Sequence, residues 1–321
     1  MGEFDLIDRF FKRPARHADL GIGDDCALLS PRPGHQLALS TDMLVEGRHF
    51  LSTVDPVRLG HKSLAVNLSD LAACGAAPRA FLLALSMPRA DASWLQGFSQ
   101  GLFALADVHG CELIGGDTTQ GPLNISITVI GDVPHGQGLL RSGARAGDDI
   151  YVSGTLGDAR LALEAFRGQL SLPESVFNAC RLRMEQPSPR VALGMALRGV
   201  ASAAADISDG LLGDLGHILR QSHVGAQLHV DTCEHLLACH TQVQLSHDWI
   251  RTCVLSGGDD YELVFTASPS RRHDVQHAAE NAQTSVTCIG KVTAQAGIEL
   301  RDASGLSLTT RFASFDHFSQ N

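Results

Sequence analysis

Residues 21–50, GIGDDCALLSPRPGHQLALSTDMLVEGRHF, place three aspartates close to a strand-like run. Asp24 and Asp25 are adjacent and follow two glycines, and Asp42 follows the run 37–41. Carboxylates that share a site must take up a proton or hold a cation. Mg²⁺ is typically bound by one or two carboxylates together with substrate phosphates. A solvated turn explains Gly-Asp-Asp equally well, so this stretch alone leaves both interpretations open.

The length and charge of the whole chain narrow the class of protein. The 321 residues favour two domains, and an apolar content of 44% is enough to give each of them a core. The formal net charge of -10 argues against a partner such as DNA or RNA, because phosphate backbones demand patches of Lys and Arg. An anionic ligand would therefore need a metal ion as mediator.

The cysteines and the apolar runs predict the compartment. Eight cysteines are scattered without a CxxC pair, which is typical of reduced thiols in a cytosolic enzyme and not of a disulfide framework or a zinc site. Cys26, in the apolar run CALL, is predicted to be buried. No apolar run approaches the ~20 residues that span a bilayer, and the N-terminus does not read as a signal peptide. We therefore expect a soluble, cytoplasmic protein without a membrane partner.

The first half reads as alternating strands and helices. The predicted elements are a strand over 37–41 that ends at Asp42, a helix from Pro56 to Gly75, strands over 80–87 and 124–133, a helix over 93–109, and a short strand that runs into Gly115-Gly116-Asp117. Asp70 lies among apolar residues of the first helix, where an unpaired carboxylate is costly. A metal or amide partner is one explanation for it, and a solvent-facing or capping role is the other.

The second half repeats this plan loosely after a Gly-rich junction over 134–149, which carries Arg141 and Arg145. Its predicted elements are strands over 149–154, 225–230, 263–267, 284–290 and 298–310, a strand that ends at Asp206, and helices after Gly157 and over 191–200, 209–219, 248–255 and 269–281. Ser208 is predicted to cap the helix over 209–219. The sequence thus predicts an α/β (α+β) protein of two α/β domains, 1–138 and 139–321.

The acidic residues indicate one kind of chemistry. The chain has neither a P-loop nor a dinucleotide fingerprint after a strand. It does have aspartates in Gly, Ser or Thr contexts, at positions 24, 25, 42, 70, 117, 206 and 209. Phosphoryl transfer from ATP uses such a set, because the enzyme chiefly positions the groups while cations neutralise phosphate charge.

Six segments, in this order, resemble the thiamine-monophosphate kinases of the aminoimidazole-ribonucleotide-synthetase-like ATP-binding superfamily. They are GIGDDCALL, LSTDMLVEGRHF, LAVNLSDLAACGA, LIGGDTT, DISDGLLGDLGHI and LSGGDDYEL. The resemblance implies an N-terminal domain that forms the sheet or barrel of a homodimer and a C-terminal domain that closes over it. It implies phosphorylation of thiamine monophosphate to thiamine diphosphate by ATP, with several Mg²⁺ ions.

The resemblance also assigns residues to roles. The implied metal ligands are Asp25, Ser40, Thr41, Asp42, Asp70, Asp117, Asp206 and Asp209. The implied ATP contacts are Gly116, Asp117, Arg141, Ser208 and His109, and the implied substrate contacts are His49, Asp259 and Phe315. The chain departs from the usual family residues at two of these positions, with Asp259 in place of Glu and His109 in place of Tyr.

The resemblance assigns no general base, and a phosphate monoester is already an anionic nucleophile, so we expect direct in-line transfer. Two alternatives stay open at this point. One is another ATP-dependent enzyme of the superfamily, similar to aminoimidazole ribonucleotide synthetase. The other is a non-catalytic protein that binds Mg²⁺ and a nucleotide.

Overall fold

The computed structural model describes residues 2–308. They divide into two compact units, one over 2–71 and 76–136 and the other over 72–75 and 137–308. Phe315, which the resemblance assigns to the substrate, lies outside the described residues. Both units combine a sheet with helices, so the predicted α/β class is confirmed.

The first unit contains four strands and three helices. In chain order they are α1 Glu3–Phe10, β1 His35–Val45, α2 Pro56–Ala73, β2 Ala77–Met87, α3 Ala92–His109, β3 Glu112–Gln120 and β4 Asn124–Pro134. Local signals fix several ends. Asp55 accepts a hydrogen bond from the backbone of Val57 at 2.9 Å where α2 begins, and Gly110 ends α3 in the left-handed conformation.

The sheet of the first unit has the strand order β1-β4-β2-β3, so β1 and β3 are its edge strands. One face is mostly buried and apolar, with Leu44 of β1, Leu83 of β2 and Ile127 of β4. Along the edge strand β1 the same face also carries the half-buried Ser40 and Asp42. The other face exposes apolar side chains of β1, with Leu39 63% and Met43 54% exposed.

The second unit is built on a seven-stranded sheet with the order β11-β10-β7-β9-β5-β8-β6. Its strands are β5 Asp149–Ser153, β6 Ala203–Ile207, β7 Gly225–His229, β8 Glu262–Ala267, β9 Val286–Thr293, β10 Gly297–Arg301 and β11 Ser307–Leu308. Only β7 and β10 pair in parallel, and the other neighbours are antiparallel. The strands β5, β6 and β8 are buried along their whole length, which explains their continuous apolar sequences.

In the described part of the second unit, seven helices accompany this sheet, with a short 3-10 turn at Pro269–Arg271. They are α4 Asp158–Phe166, α5 Glu174–Glu185, α6 Val191–Ala196, α7 Leu211–Ser222, α8 Val230–Glu234, α9 His247–Ser256 and α10 Arg272–Asn281. The sequence did not predict α5 or α8.

Five predictions about local structure were wrong. The strand predicted over 298–310 is interrupted, because within the described residues β10 ends at Arg301 and a turn leads to β11, which pairs with it antiparallel. Strand β1 does not end at Asp42 but continues to Val45, and β3 does not stop at the glycines but runs through Asp117 to Gln120. Helix α7 begins after Gly210, and Ser208 does not cap it. Cys26 is exposed because 21–30 is an irregular segment outside the sheet.

Candidate active site

In the first unit, β1 and α2 bring three predicted metal ligands together. The hydroxyl of Ser40 donates a hydrogen bond of 2.5 Å to Oδ2 of Asp70. Two residues further along β1, the backbone N–H of Asp42 donates to the side chain of Asn67 at 3.1 Å. Because side chains alternate along a strand, Ser40 and Asp42 point to the same face, and this face carries α2. Asp70 is half-buried and therefore has a partner inside the unit while it remains partly accessible.

Two other predicted metal ligands, Thr41 and Asp25, do not lie with Ser40, Asp42 and Asp70. Thr41 lies between Ser40 and Asp42, and its hydroxyl is 2.8 Å from the hydroxyl of Thr128 on the opposite face of the sheet. Asp25 is exposed, and its backbone N–H donates to the carboxylate of Asp24 at 2.8 Å. The Gly-Asp-Asp segment thus forms an exposed turn, which leaves its carboxylates accessible to an ion.

The Gly116–Asp117 pair lies at the other edge of the same sheet. Asp42 pairs with Ile127, Ile127 with Leu83, and Leu83 with Gly116. Three strand spacings of about 4.8 Å put the backbones of Asp42 and Gly116 about 14 Å apart. One chain therefore does not gather Asp42 and Asp117 around the same ion.

Gly116 is required by the sheet itself. Its φ is 150°, and a Cβ at this position would lie 1.9 Å from the carbonyl oxygen of Leu83. Packing against β2 is thus one reason for this glycine, in addition to the approach of a phosphate that the motif predicted.

Two histidines of the first unit are predicted to contact ligands: His49 the substrate and His109 ATP. Nδ1 of His49 accepts the backbone N–H of Val45 at 2.9 Å, so a neutral ring carries its proton on Nε2. His109 ends α3, where burial and then the neighbouring His61 lower its pKa. The loop of His49 also borders a cavity of about 230 Å³ whose lining includes Glu46, Phe50 and Trp94.

In the second unit, the turn after β6 is held by a carboxylate that the sequence reasoning did not single out. The backbone N–H groups of Ser208, Asp209 and Gly210 all donate to Oδ2 of Asp214, at 3.1, 3.0 and 3.1 Å. Burial, followed by the charge of Asp209, raises the pKa of Asp214 to about 7. Asp206 lies just before this turn, at the end of β6.

The segment 257–261 lies directly against the same turn. The N–H of Asp259 donates to the carbonyl of Ser208 at 2.8 Å, and the N–H of Tyr261 donates to Ile207 at 2.9 Å. Asp259 and Tyr261 have φ values of 71° and 53°, which are left-handed conformations that non-glycine residues rarely adopt. Strained residues of this kind cluster at functional sites. The structure thus brings Asp206, Ser208, Asp209 and Asp259 together.

Two buried carboxylates, Asp260 and Glu262, connect the segment 257–261 and the start of β8 to other parts of the second unit. Asp260 is 3% exposed and accepts the backbone N–H of Gly157 at 3.0 Å. Glu262 is fully buried and binds the side chains of Ser153, Arg183 and Arg190. The sequence showed these two residues only as members of the motif LSGGDDYEL. It did not show their roles, because the residues that they bind lie 72 to 109 positions earlier in the chain.

Arg141 is the predicted ATP contact from the junction between the domains. Its backbone carbonyl accepts the hydroxyl of Ser222 at 3.2 Å. Its side chain is close enough to Asp214 to oppose the rise of that pKa. A cation therefore stands beside the Ser208–Gly210 turn, where an anionic ligand would need one.

Family models cover most of the chain. The model for the N-terminal domain of AIR synthase related proteins matches residues 23–133, and the model for their C-terminal domain matches residues 145–303. A curated thiamine-monophosphate kinase of Salmonella typhimurium is 43% identical over 325 residues, which are 99% of this chain and 98% of the relative. This chain belongs to the thiamine-monophosphate kinase family.

Solved structures agree with this membership. The crystal structure of a thiamine-monophosphate kinase from Stenotrophomonas maltophilia K279a is 45% identical, with a TM-score of 0.85, over 94% of this chain and 96% of that one. The structure of AaThiL complexed with AMPPCP and TMP is 28% identical, with a TM-score of 0.76, over 90% and 89%. The two-unit fold is thus the fold of the thiamine-monophosphate kinase family.

The donor set of this thiamine-monophosphate kinase family member fits a hard cation. The candidate side chains present oxygen atoms only, as Mg²⁺ requires; they are Ser40, Asp42 and Asp70 in one unit and Asp206 and Asp209 in the other.

None of the helices in the described part of the chain is both long enough and apolar enough to cross a membrane.

Proposed function

We propose that the chain transfers the γ-phosphoryl group of ATP to thiamine monophosphate, giving thiamine diphosphate and ADP in thiamine diphosphate biosynthesis. The observation that carries this proposal is the full-length identity of 43% to a curated thiamine-monophosphate kinase. The similarity to AaThiL complexed with AMPPCP and TMP supports the same pair of ligands.

Several Mg²⁺ ions belong to this proposal. The residues that would hold them are those of the predicted set, Asp25, Ser40, Thr41, Asp42, Asp70, Asp117, Asp206 and Asp209. Bound ions would neutralise the charge that develops on the phosphate oxygens. Since the backbones of Asp42 and Gly116 lie about 14 Å apart in one chain, Asp42 and the neighbouring Asp117 would serve different ions, which supports more than one metal position.

The remaining contacts divide between the nucleotide and the acceptor. Gly116, Asp117, Arg141, Ser208 and His109 would contact ATP, and His49, Asp259 and Phe315 would contact thiamine monophosphate. Arg141 supplies a fixed positive charge beside Ser208, and the strained backbone of Asp259 fixes its position against the same turn. A carboxylate at 259 suits the cationic thiazolium ring of the acceptor, and so does an aromatic face.

The transfer is direct and in line. The nucleophile is a phosphate oxygen of thiamine monophosphate, which is ionised near neutral pH and needs no base to remove a proton. The chain's task is therefore to orient the two phosphates and to exclude water. Rapid-quench experiments with γ-labelled ATP should yield no labelled protein, and a phosphorylated chain formed during turnover would contradict direct transfer.

A homodimer built through the N-terminal unit completes the proposal. The open sheet face with Leu39 and Met43 gives a second copy of the chain an apolar surface to cover. A Leu39→Lys variant should shift the mass measured by light scattering towards one chain, whereas the exposed control Val108→Lys on α3 should leave it unchanged. An unchanged mass for Leu39→Lys would argue against this face.

One assay separates the proposed kinase from its alternatives. Purified chain with Mg·ATP and thiamine monophosphate should form ADP and thiamine diphosphate in equal amounts. Nucleotide binding without turnover would instead indicate a non-catalytic protein, and turnover with formylglycinamidine ribonucleotide alone would indicate an enzyme similar to aminoimidazole ribonucleotide synthetase. Asp42→Ala and Asp117→Ala should each abolish turnover while retaining the circular dichroism of the parent.

A further inference from the structure

The second unit contains a buried group of thiol and carboxylate side chains that the proposed kinase chemistry does not use. Sγ of Cys180, on α5, lies 3.9 Å from Sγ of Cys239, in the loop after α8. The same sulfur lies 3.9 Å from Oδ1 of Asp158, the first residue of α4. These three side chains are 2%, 4% and 2% exposed, respectively, and their ligand atoms all lie within 4.8 Å of one another.

These distances match the edges of a metal coordination shell. Zinc binds thiolate sulfur at about 2.3 Å in tetrahedral geometry, which places two such sulfurs about 3.8 Å apart. We propose that Cys180, Cys239 and Asp158 bind a zinc-class divalent cation. The sequence indicated no zinc site, because it contains no CxxC pair and these two cysteines are 59 residues apart.

The surroundings of the three side chains favour an ion. Oδ2 of Asp158 accepts the hydroxyl of Thr155 at 3.1 Å, which leaves Oδ1 directed at the sulfur. A ligand that is oriented by a second hydrogen bond is typical of metal sites. The carboxylate of Asp260, 3% exposed, binds the backbone N–H of Gly157, the residue before Asp158, so an ion here would offset buried negative charge.

The binding step is an exchange of protons for the cation. Two S–metal bonds and one O–metal bond form, the two S–H bonds break, and the thiol protons pass to solvent. No oxidant or reductant takes part. Three protein ligands leave one coordination position for water.

An ion at this place would connect three segments of the second unit. It would link the start of α4, the helix α5 and the loop after α8. Gly157, directly before Asp158, donates its N–H to Asp260 within the segment 257–261. The ion would thereby fix the position of Asp260 and so restrict the segment 257–261. The inference does not depend on phosphoryl transfer.

The experiment uses the full chain, reduced and freed of metal. Zn²⁺ affinity is measured by competition with a chromophoric chelator, and Cd²⁺ is used to detect the ultraviolet charge-transfer band of thiolate–metal bonds. We expect one tightly bound ion per chain, in addition to weaker binding at the carboxylates of the proposed Mg²⁺ positions, release of about two protons, and an increase in the thermal midpoint. Cys180→Ser and Cys239→Ser should each weaken binding at least about 100-fold and reduce the cadmium band, and Asp158→Asn should weaken binding while keeping the band.

The matched control is Cys288→Ser, which removes an exposed thiol of the same unit and should bind like the parent. Thermal unfolding without metal establishes that each variant is folded. Equal affinity in the parent and the Cys180→Ser/Cys239→Ser double variant would overturn the proposal. A cadmium adduct of the parent without a thiolate band would overturn it as well.

Discussion

Oδ2 of Asp214 accepts the backbone N–H of Asp209 at 3.0 Å. The same oxygen accepts the N–H groups of Ser208 and Gly210, so one carboxylate holds the whole turn after β6. Asp214→Ala leaves these three donors without their acceptor, at a cost of about 1–3 kcal/mol for each one that stays buried. We expect at least a tenfold loss in kcat/KM for Mg·ATP, together with a higher Mg²⁺ requirement, in steady-state assays.

Hydrogen exchange of the amides at 208–210 reports the same effect without turnover, and their protection should fall in Asp214→Ala. Asp302 is a matched control because it accepts the backbone N–H groups of Ser304 and Leu306 in an exposed turn. Asp302→Ala should leave kcat/KM within twofold of the parent. An equal loss in both variants would mean that Asp214 acts on stability alone.

Gly116→Ala should destabilise the first unit. The added Cβ would lie 1.9 Å from the carbonyl of Leu83, and φ at this position is 150°. We expect a decrease of at least about 2 kcal/mol in the free energy of unfolding, measured in urea. Gly115→Ala is the control, because its Cβ would meet a flexible methyl of Leu82 at 3.2 Å. Similar values for the two variants would contradict the close approach of β3 to β2.

Glu262→Gln should destabilise the second unit. The carboxylate is fully buried and binds both Arg183 and Arg190. Its removal leaves two arginines without their counter-charge, and we expect a loss of about 3 kcal/mol. Glu299→Gln removes an ion pair with Arg301 in which both side chains are about 40% exposed, so its effect should stay within about 1 kcal/mol. Urea unfolding of both variants measures the difference.

Asp149 gives a prediction about pH. A hydrogen bond from Arg272 holds the pKa of this carboxyl below its usual value of 3.8. A pKa that is lower in the folded state contributes stability above the usual value and loses it as the pH falls through the lowered one. The parent should therefore have a higher free energy of unfolding than Asp149→Asn at pH 7, and this difference should become smaller towards pH 3. A constant gap would show that the charge of Asp149 is not the cause.

The sequence predicted the element types well where the signals are local. Asp55 and Pro56 mark the start of α2, and Gly110 marks the end of α3. The sequence-based predictions were wrong where contacts with distant residues determine the bounds of an element. Strand β1 continues past Asp42 because all eleven of its residues pair with β4, and no local signal announces that pairing.

The candidate site shows the same division. The motifs predicted the carboxylates that would face ligands, and the structure brings Asp42 close to α2 and Ser208 close to Asp259. The supporting residues were missed because their roles depend on distant partners. Asp260 has its acceptor role only because Gly157 lies beside it, 103 residues earlier in the chain.

The left-handed backbones of Asp259 and Tyr261 limit how these two positions can diverge. Glycine and asparagine adopt such dihedral angles at low cost, whereas valine, isoleucine and threonine do so only with strain. A saturation library selected only for folded protein should therefore enrich the first two residue types at 259 and 261 and deplete the β-branched ones. Selection for growth without external thiamine should restrict position 259 further, to acidic side chains.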